Sequence, residues 1–468
     1  MVIEQIYTGC LAQGAYYIES NGEVAIIDPL REIQDYIDKA NKNKAQIKYI
    51  FETHFHADFV SGHVSLAKAS SAKIVYGPSA KTNFESIIAK DNQVFKLGNI
   101  TITAIHTPGH TAESTCYLLK DEMGKDYAIF SGDTLFLGDV GRPDLAQKGN
   151  LTQEDLAGYL FDSLRNKIMP LADNVIVYPA HGAGSACGKN LSKETVGTIG
   201  DQKNTNYALR ADMTKEEFIS EVTEDLLPPP AYFPLNVKLN KEGYLDIKEV
   251  IEKSKKPLSL EDFESLANTT EAIILDVRHQ SEFIKGFIPK SIFIGLGGTF
   301  APWVGALIKD INQPILLVTP QGKEEETITR LSRVGFDNVL GYLDNGFETW
   351  KSTNKEIDTL LSVSADYLSK KIVEKALVFD VRKPGEYKNE HIKVAESTPL
   401  DFLNDFISMF PEKEPFYLHC AGGYRSVIAA SILKARGFHN VIDVAEGYAA
   451  IKKTDIERTD KTCASIQK

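Results

Sequence analysis

Short apolar runs, separated by glycine, proline and polar turns, recur along the first part of the chain. Leu11–Ser20 and Glu23–Asp28 are strand-like and meet at Asn21-Gly22, a dipeptide typical of a tight hairpin turn. Ile100–Ala104 alternates apolar and polar side chains, as a half-buried strand does. Two further runs of this kind lie at Tyr127–Ser131 and Asn174–Tyr178. The pattern predicts alternating strands and helices, and therefore an α/β domain, over residues 1–215.

Three consecutive prolines, Pro228–Pro230, interrupt this pattern. Proline has no backbone N–H and does not continue a helix interior or a central strand. The prolines therefore predict a linker over residues 216–256, packed in part through Tyr232 and Phe233.

The second half of the chain contains an internal repeat with a period of about one hundred residues, which is the length of a domain. The run Ala272–Arg278 returns as Ala376–Arg382, and Gly335–Val339 returns as Gly437–Val441. Each copy alternates apolar strands with helical stretches, which predicts a parallel α/β sheet in each. The predicted copies span residues 257–355 and 360–455, and a polar tail follows at 456–468.

The amino-acid composition of the chain narrows the classes of molecule that it is expected to bind. The 468 residues are 43% hydrophobic and 25% charged, with a formal net charge of −12 and no basic block. This charge argues against nucleic acid and an anionic membrane surface as partners. No apolar run reaches the ~18 residues that a membrane-spanning helix needs, so no membrane association is expected.

Cysteine usage and the N-terminus favour a cytoplasmic protein. Met1–Gln5 has neither a basic region nor an apolar stretch behind it, so no signal peptide is expected. The five cysteines are scattered and odd in number, which predicts no disulfide framework and fits a reducing compartment. They are Cys10, Cys116, Cys187, Cys420 and Cys463.

Histidines and aspartates follow several of the predicted strands in the first domain. Strands packed side by side place the residues that follow them at one edge of a sheet, where loops carry chemistry. A lone histidine is usually structural, but several such clusters in the same position predict a metal site. The candidate ligands are His54, His56, Asp58, His110, Asp133 and His181.

These motifs resemble those of the metallo-β-lactamase fold, an αβ/βα sandwich whose members mostly bind two zinc ions. The resemblance implies that His54, His56 and His110 hold one ion. It assigns the other ion to Asp58, the residue at position 59 and His181, with Asp133 bridging. Position 59 is Phe59, whose ring cannot ligate a metal.

One subgroup of that fold, the persulfide dioxygenases, uses a single Fe(II) held by residues that match His54, His110 and Asp133. Two histidines and a carboxylate leave open positions for a substrate and O2. Because Phe59 removes a ligand of the second ion, the sequence predicts one Fe(II) per chain. His56, Asp58 and His181 would then orient water and the ligands. The alternative is a weakened two-zinc site in which Phe59 is tolerated.

Two nearby residues have two interpretations each. Arg142, in Gly141-Arg142-Pro143-Asp144, matches an arginine that contacts the anionic end of the thiol substrate in persulfide dioxygenases; the alternative is a structural pairing with Asp144. Cys187 lies on the loop after His181 and either relays sulfur or is simply a small buried apolar residue, which we favour.

A second reactive motif lies in the later copy of the repeat. The strand Phe416–Leu418 leads into Cys420, with Arg425 shortly after it and an apolar helical pattern beyond. Backbone N–H groups of such a loop, together with Arg425, stabilise a thiolate, which is the nucleophilic form of cysteine. The loop is one residue shorter than that of cysteine phosphatases, which suits a terminal sulfur atom on Cys420. The predicted persulfide loop also includes Ala421, Gly422, Gly423, Tyr424 and Ser426.

This loop, together with Asp380–Arg382 and Glu446-Gly447, resembles the rhodanese family, which implies that Cys420 carries sulfur and that Arg425 assists it. The earlier copy departs from the family pattern. Thr319 stands at the cysteine position and Glu324 at the arginine position, so that copy is predicted to be catalytically silent and to act as a spacer or docking surface.

The order of a metal domain, a silent rhodanese and an active rhodanese resembles the fused persulfide dioxygenase–sulfurtransferases of bacterial sulfide detoxification. The resemblance implies a low-molecular-weight persulfide, O2 and sulfite as substrates, and a homo-oligomer. A first alternative is a dinuclear zinc thioester hydrolase of the glyoxalase II type fused to a rhodanese. A second is a non-catalytic sulfur carrier or sensor, in which Cys420 only stores a persulfide.

Overall fold

A computed structural model describes residues 1–145, 151–189 and 191–460 of the chain. Cys463 and most of the predicted polar tail lie outside the described residues. The chain divides into two units, one of Met1–Glu249 with Leu331–Gly335 and one of Val250–Arg330 with Phe336–Lys468. Within the described residues, no helix is both long and apolar enough to cross a membrane.

Two six-stranded sheets form the first unit. The first sheet runs β1 to β6 in chain order and is antiparallel up to β3 and parallel from there. Its strands are β1 (Val2–Thr8), β2 (Gln13–Ser20), β3 (Glu23–Ile27), β4 (Gln46–Phe51), β5 (Lys73–Tyr76) and β6 (Ile87–Ile88). The predicted hairpin at Asn21-Gly22 is confirmed as the turn between β2 and β3.

The second sheet has the order β12-β11-β10-β9-β8-β7, and only its β10–β11 pair is parallel. Its strands are β7 (Val94–Leu97), β8 (Ile100–His106), β9 (Thr115–Lys120), β10 (Asp126–Gly132), β11 (Ile176–Pro179) and β12 (Gly197–Thr198). The runs predicted as strands near residues 100, 127 and 174 are therefore confirmed as β8, β10 and β11.

Alternation along the strands explains the layers of this unit, because successive side chains of a strand point to opposite faces. Tyr16 and Ile18 of β2 pack with Ile102 and Phe130 of the second sheet, so one core lies between the sheets. Their neighbour Tyr17 packs instead on the outer face of the first sheet, with helix residues such as Tyr36 and Leu66. A third core lies between the second sheet and later helices. The predicted αβ/βα sandwich is confirmed.

Six helices of the described residues belong to this unit, and a seventh begins in it and continues into the second unit from Val250. They are α1 (Gln34–Lys42), α2 (His63–Ser70), α3 (Gln153–Ser163), α4 (Ile199–Thr205), α5 (Lys215–Thr223), α6 (Phe233–Glu242) and α7 (Ile247–Ser254). A π-helical turn, Leu164–Ile168, continues α3, and a 3-10 turn, Tyr207–Leu209, follows α4. The predicted linker, 216–256, is thus largely helical, and its Tyr232 and Phe233 are buried.

Two five-stranded parallel sheets form the second unit, and both have the strand order first-fifth-fourth-second-third. The first sheet consists of β13 (Pro257–Leu258), β14 (Ile273–Asp276), β15 (Ile292–Phe293), β16 (Ile315–Val318) and β17 (Val339–Leu343). The second consists of β18 (Ser362–Val363), β19 (Leu377–Asp380), β20 (Ala395–Ser397), β21 (Phe416–His419) and β22 (Val441–Val444). The identical order confirms the internal repeat.

Helices surround each of these sheets. Around the first lie α8 (Leu260–Thr269), α9 (Gln280–Phe283), α10 (Phe300–Leu307), α11 (Glu324–Ser332) and α12 (Phe347–Lys351). Around the second lie α13 (Ala365–Val373), α14 (Pro384–Asn389), the 3-10 segment Leu400–Met409, α15 (Tyr424–Ala435) and α16 (Gly447–Ile451).

The two copies share an arginine–aspartate pair, packed against an aromatic ring, at the end of the second strand of each sheet. In the first, Arg278 pairs with Asp276 at 2.6 Å and lies 4.0 Å from the ring centre of Phe347. In the second, Arg382 pairs with Asp380 at 2.6 Å and lies 3.8 Å from the ring centre of Tyr448. The copies therefore differ in their reactive loops and not in the strand ends that support them.

Candidate metal centre and sulfur-transfer loop

Six candidate ligands meet at one end of the sandwich in the first unit. All of them are buried. They are His54, His56 and Asp58 after β4, His110 after β8, Asp133 after β10 and His181 after β11.

The Asp133 carboxylate lies at the centre of this group. Its Oδ2 is 3.4 Å from Nε2 of His110 and 3.8 Å from Nε2 of His54. Its Oδ1 is 3.6 Å from Nε2 of His181, which also lies 3.5 Å from Asp58 Oδ2. Donor atoms within 4.8 Å of one another form two main groups, His54 with His110 and Asp133, and His56 with Asp58 and His181.

Hydrogen bonds on the far side of each ring fix which nitrogen carries the proton. Nδ1 of His110 contacts the Arg142 carbonyl at 2.9 Å, and Nδ1 of His181 contacts the Ala12 carbonyl at 3.2 Å. A carbonyl only accepts, so both Nδ1 atoms are protonated, which leaves Nε2 as the nitrogen that can ligate a metal. Both Nε2 atoms face Asp133.

His54 has the same tautomer for a less direct reason. The Thr53 hydroxyl donates to Asp28 Oδ2 at 2.8 Å, so its oxygen accepts from His54 Nδ1 at 3.0 Å. Burial, followed by the neighbouring histidines, holds the pKa of His54 well below its usual value. His54 is therefore neutral, with its Nε2 lone pair toward Asp133.

Several polar atoms of this group have no hydrogen-bond partner among the described residues. They include Asp133 Oδ1 and Oδ2, Asp58 Oδ1 and His181 Nε2. Burying such atoms without a partner is costly, and the Nε2 lone pair of the neutral His54 repels the carboxylate that it faces. A bound cation removes both costs, so these residues fit a transition-metal ion.

His56 is held differently from His54 and His110. Its Nε2 lies 3.1 Å from Asp28 Oδ1 and 3.7 Å from Glu52 Oε2. Burial alone lowers the pKa of His56, but the Asp28 charge and hydrogen bond raise it to about 9. The ring of Phe59 is fully buried, 4.4 Å from the His56 ring, and adds no ligand atom to this group.

The loop after β21 places Cys420 at the start of helix α15. Its buried Sγ accepts from the Gly423 N–H at 3.1 Å and lies 3.5 Å from the Ser426 hydroxyl. Gly447, at φ +51, lies under the loop, where an added Cβ would be only 2.3 Å from the Cys420 carbonyl oxygen. The sulfur is thus surrounded by donors of its own loop.

Arg425 is fixed by a bidentate ion pair with Glu386, with N···O distances of 2.6 and 2.9 Å. Burial lowers the pKa of Arg425, but the Glu386 carboxylate more than offsets this and raises it, so the guanidinium stays charged. Its position near the Cys420 loop agrees with the predicted assisting role, which stays a prediction.

Comparisons with known proteins agree with this organisation. The model of the metallo-β-lactamase superfamily matches residues 8–181, and that of the rhodanese-like domain matches residues 259–353 and 364–454. A metallo-β-lactamase structure from Staphylococcus aureus subsp. aureus COL is 30% identical, with a TM-score of 0.65. The match covers 73% of this chain and 98% of that chain.

The chain belongs to the metallo-β-lactamase superfamily. It also carries two rhodanese-like domains in the same polypeptide. A probable hydroxyacylglutathione hydrolase of Schizosaccharomyces pombe is 29% identical over 42% of this chain and 75% of the hydrolase. For the hydroxyacylglutathione hydrolase of Dictyostelium discoideum, the match spans less than two thirds of the relative, 62%. The structure of ETHE1 from Myxococcus xanthus is 27% identical over 52% of this chain and 98% of its own, with a TM-score of 0.44.

In the metallo-β-lactamase domain, Arg142 supports the ligand shell. Its guanidinium pairs with Asp144 through two contacts of 2.6 Å and donates to the Leu227 carbonyl at 2.5 Å. Its backbone carbonyl accepts from His110, as described above. The geometry matches the structural interpretation of Arg142, and contact with a substrate stays a prediction.

Cys187 is buried, as the favoured interpretation has it, but its sulfur lies within 4.8 Å of ligand atoms of Asp133 and His181. Burial, followed by the charges of Asp58 and Asp133, raises the pKa of this thiol well above its usual value. The place of Cys187 beside Asp133 and His181 was not predicted. The only sequence signal for it was that Cys187 follows His181 in the chain.

Asn240 of α6 is a supporting residue that sequence reasoning missed. Its Nδ2 donates to the carbonyls of His56 and Phe59, each at 2.8 Å, and its Oδ1 accepts from the Ser61 N–H at 2.8 Å. One buried amide thus fixes the backbone of the loop that carries His56 and Asp58. An asparagine in a helix far along the chain gives no sequence signal for this role.

In the corresponding loop of the first rhodanese-like domain, a carboxylate occupies the backbone N–H group. Glu324 Oε1 accepts from the Gly322 N–H at 3.1 Å and lies 3.4 Å from the Thr319 hydroxyl. In the second domain, the equivalent N–H, that of Gly423, points at the Cys420 sulfur. A carboxylate therefore takes the place that a sulfur needs, in agreement with the predicted silent copy.

Proposed function

We propose that this protein is a persulfide dioxygenase joined to a sulfurtransferase. In the first reaction, a thiol persulfide, O2 and water give the thiol and sulfite (RSSH + O2 + H2O → RSH + SO3²⁻ + 2 H⁺). In the second, a further persulfide and sulfite give the thiol and thiosulfate (RSSH + SO3²⁻ → RSH + S2O3²⁻), with Cys420 carrying the sulfur between them.

The observation that carries this proposal is the group of His54, His110 and Asp133 beside a Phe59 that supplies no ligand. Two imidazoles and one carboxylate are the ligand set of non-haem iron oxygenases, which keep positions open for substrate and O2. Fe(II) held by these three residues would supply the redox chemistry between O2 and the sulfur. The Arg142 carbonyl and the Thr53 hydroxyl would keep Nε2 of His110 and of His54 turned toward it.

The second rhodanese-like domain supplies the transfer step. Cys420 sulfur attacks the outer sulfur of a persulfide, and the thiol leaves with the proton. The N–H of Gly423 and the Ser426 hydroxyl stabilise the negative charge on sulfur. Sulfite then attacks that outer sulfur, which leaves as thiosulfate and restores Cys420. Having both steps in one chain raises the local concentration of sulfite near Cys420.

A second candidate is a dinuclear zinc thioester hydrolase. Two observations favour it, the similarity to hydroxyacylglutathione hydrolases and the retained group of His56, Asp58 and His181. Thioester hydrolysis, however, does not use the persulfide loop of the second rhodanese-like domain. The persulfide reaction uses both sites, which is why we prefer it.

Metal analysis of anaerobically purified protein separates the two candidates. The proposal expects one iron per chain in the unmodified protein, and loss of that iron in His110→Ala. Cys420→Ser is the control, because it changes the other domain and should retain the iron. Two tightly bound zinc ions per chain would contradict the proposal and favour the hydrolase.

A further inference from the structure

Tyr424, in the Cys420 loop, extends its side chain onto the first rhodanese-like domain. Its hydroxyl donates to the Gly295 carbonyl at 2.6 Å. Its ring meets that of Phe293 edge-on, with 6.0 Å between the ring centres. It also covers Gly298, where an added Cβ would lie 2.4 Å from Tyr424 Cζ. The silent copy thus supplies three contacts to one side chain of the reactive loop.

These contacts come from a segment that we call the glycine loop, Gly295–Gly298. The silent copy holds it firmly, because the Leu296 N–H donates to the Val277 carbonyl at 3.1 Å and Arg330 donates to the Leu296 carbonyl at 2.8 Å. The absence of a side chain at position 298 leaves the space that the Tyr424 ring occupies.

The surrounding contact between the two copies is also specific. The Phe293 N–H donates to the Ser431 hydroxyl of α15 at 3.0 Å. Lys434, a buried residue of the same helix, pairs with Asp358 at 3.1 Å. Helix α15 begins at Tyr424, so these contacts fix the helix whose first turn faces the Cys420 sulfur.

The first half of the loop is held by its own domain, because the carbonyls of Cys420 and Ala421 accept from the Tyr448 and Ala449 N–H groups at 2.7 and 3.0 Å. The two glycines that follow are less constrained. Gly422 is exposed, and an added Cβ there would meet nothing within 4 Å. Gly423, which donates to the sulfur, is in the left-handed region at φ +88. Two glycines give the backbone wide freedom, so fixed neighbours on both sides help to keep the Gly423 N–H on the sulfur. Ala421 is held before them, and Tyr424, which follows them directly, is held by the glycine loop.

We propose that the silent copy is a structural part of the sulfurtransferase site, and that its glycine loop keeps the Cys420 loop in its reactive shape by holding Tyr424. Tyr424 is a positioning residue, since its side chain acts through the loop backbone and not on the substrate. The inference rests on the transfer half of the proposed function for its activity readout.

Adjacent glycines provide a matched test. Gly298→Ala places a methyl group into the Tyr424 ring, whereas Gly297→Ala places it in open space, and neither glycine is at positive φ. In the full chain, Gly298→Ala should lower kcat/KM for thiosulfate–cyanide sulfur transfer about tenfold or more, because misplacement of a reacting group by an ångström has effects of this size. Gly297→Ala should stay within about twofold of the unmodified protein.

A second readout does not need transfer activity. Iodoacetamide alkylation of Cys420, followed by mass spectrometry across pH, reports how well the loop stabilises the thiolate. Gly298→Ala should move the pH midpoint of alkylation upward, and Gly297→Ala should not. If the unmodified protein alkylates readily but transfers no sulfur, the proposed transfer function fails. The alkylation comparison would still test whether the glycine loop positions the Cys420 loop through Tyr424.

A double variant shows whether the effect passes through Tyr424. In a Tyr424→Ala background, Gly298→Ala should cause no further change, because the ring that it strikes is gone. An equal further loss there, or equal behaviour of Gly298→Ala and Gly297→Ala in the single variants, would overturn the inference. If Gly298→Ala does not fold, Tyr424→Phe removes only the bond to Gly295, and an unmoved alkylation midpoint in that variant would overturn it too.

Discussion

At the scale of single residues, the metal centre depends on groups that never touch the metal. Each of the three imidazoles that face Asp133 directs its Nε2 atom there because a hydrogen bond holds its Nδ1 atom. For His54, this hydrogen bond belongs to a chain that runs from Asp28 through the Thr53 hydroxyl. Partners of this kind set ligand orientation and basicity, and their loss typically weakens metal binding about ten- to hundredfold.

Thr53→Val is therefore expected to weaken iron binding about ten- to hundredfold, because it removes the acceptor for His54 Nδ1 while keeping the shape. Competition with a calibrated Fe(II) chelator under anaerobic conditions measures this. Thr103→Val is the matched control, since the buried Thr103 hydroxyl has no partner among the described residues. Equal affinities in the two variants would contradict the role of Thr53.

At the scale of elements, helix α6 fixes the ligand loop through Asn240. Asn240→Leu leaves two carbonyls and the Ser61 N–H without partners. Each lost bond is worth about 1–1.5 kcal/mol, so exchange of the Ser61 amide should accelerate about tenfold or more. Hydrogen–deuterium exchange of the metal-free protein measures this.

Asn236 provides the control for that variant. It lies one turn earlier on α6, is equally buried, and has no partner for its amide among the described residues. Asn236→Leu should leave the exchange of Ser61 unchanged. Acceleration of the same size in both variants would mean that any damage to α6 loosens the loop.

The loop from Thr319 to Glu324 in the silent copy allows a second test at the scale of elements. Thr319→Cys alone should not create transfer activity, because Glu324 already accepts the Gly322 N–H and opposes a nearby thiolate. A thiosulfate–cyanide assay in a Cys420→Ser background tests this, so that only the new cysteine could act. Measurable transfer by Thr319→Cys in that background would refute the electrostatic explanation for the silent copy.

At the scale of the whole molecule, the two proposed reactions are assigned to different domains. His110→Ala should abolish O2 uptake and leave sulfur transfer by Cys420 within about twofold of normal, because sites in separate domains with no shared residues respond independently. Cys420→Ser should have the opposite result. The oxygen electrode and the transfer assay are run on the same preparations, and loss of both activities in either variant would contradict the modular picture.

The sequence predicted most of what lies at strand ends. Apolar runs marked the strands, so the residues just after them, such as His54, His110 and Cys420, were placed correctly at sheet edges. The role of Asn240, the closeness of Cys187 to Asp133 and the partner of Tyr424 were not found. Their roles arise from contacts between segments distant in the chain, such as the one from Asn240 to His56 across 184 positions. No local period or motif encodes such contacts.

The measurement that tests the central claim most directly is O2 consumption during persulfide turnover. Anaerobically purified Cys420→Ser protein, in which the proposal expects sulfite to accumulate, is supplied in turn with glutathione, coenzyme A and bacillithiol persulfides in an oxygen electrode. We predict that, with at least one of these, one O2 disappears for each sulfite formed and that turnover stops under nitrogen. Sulfur-containing product formed at an undiminished rate without O2, or thioester hydrolysis with no O2 uptake, would contradict the proposed dioxygenase.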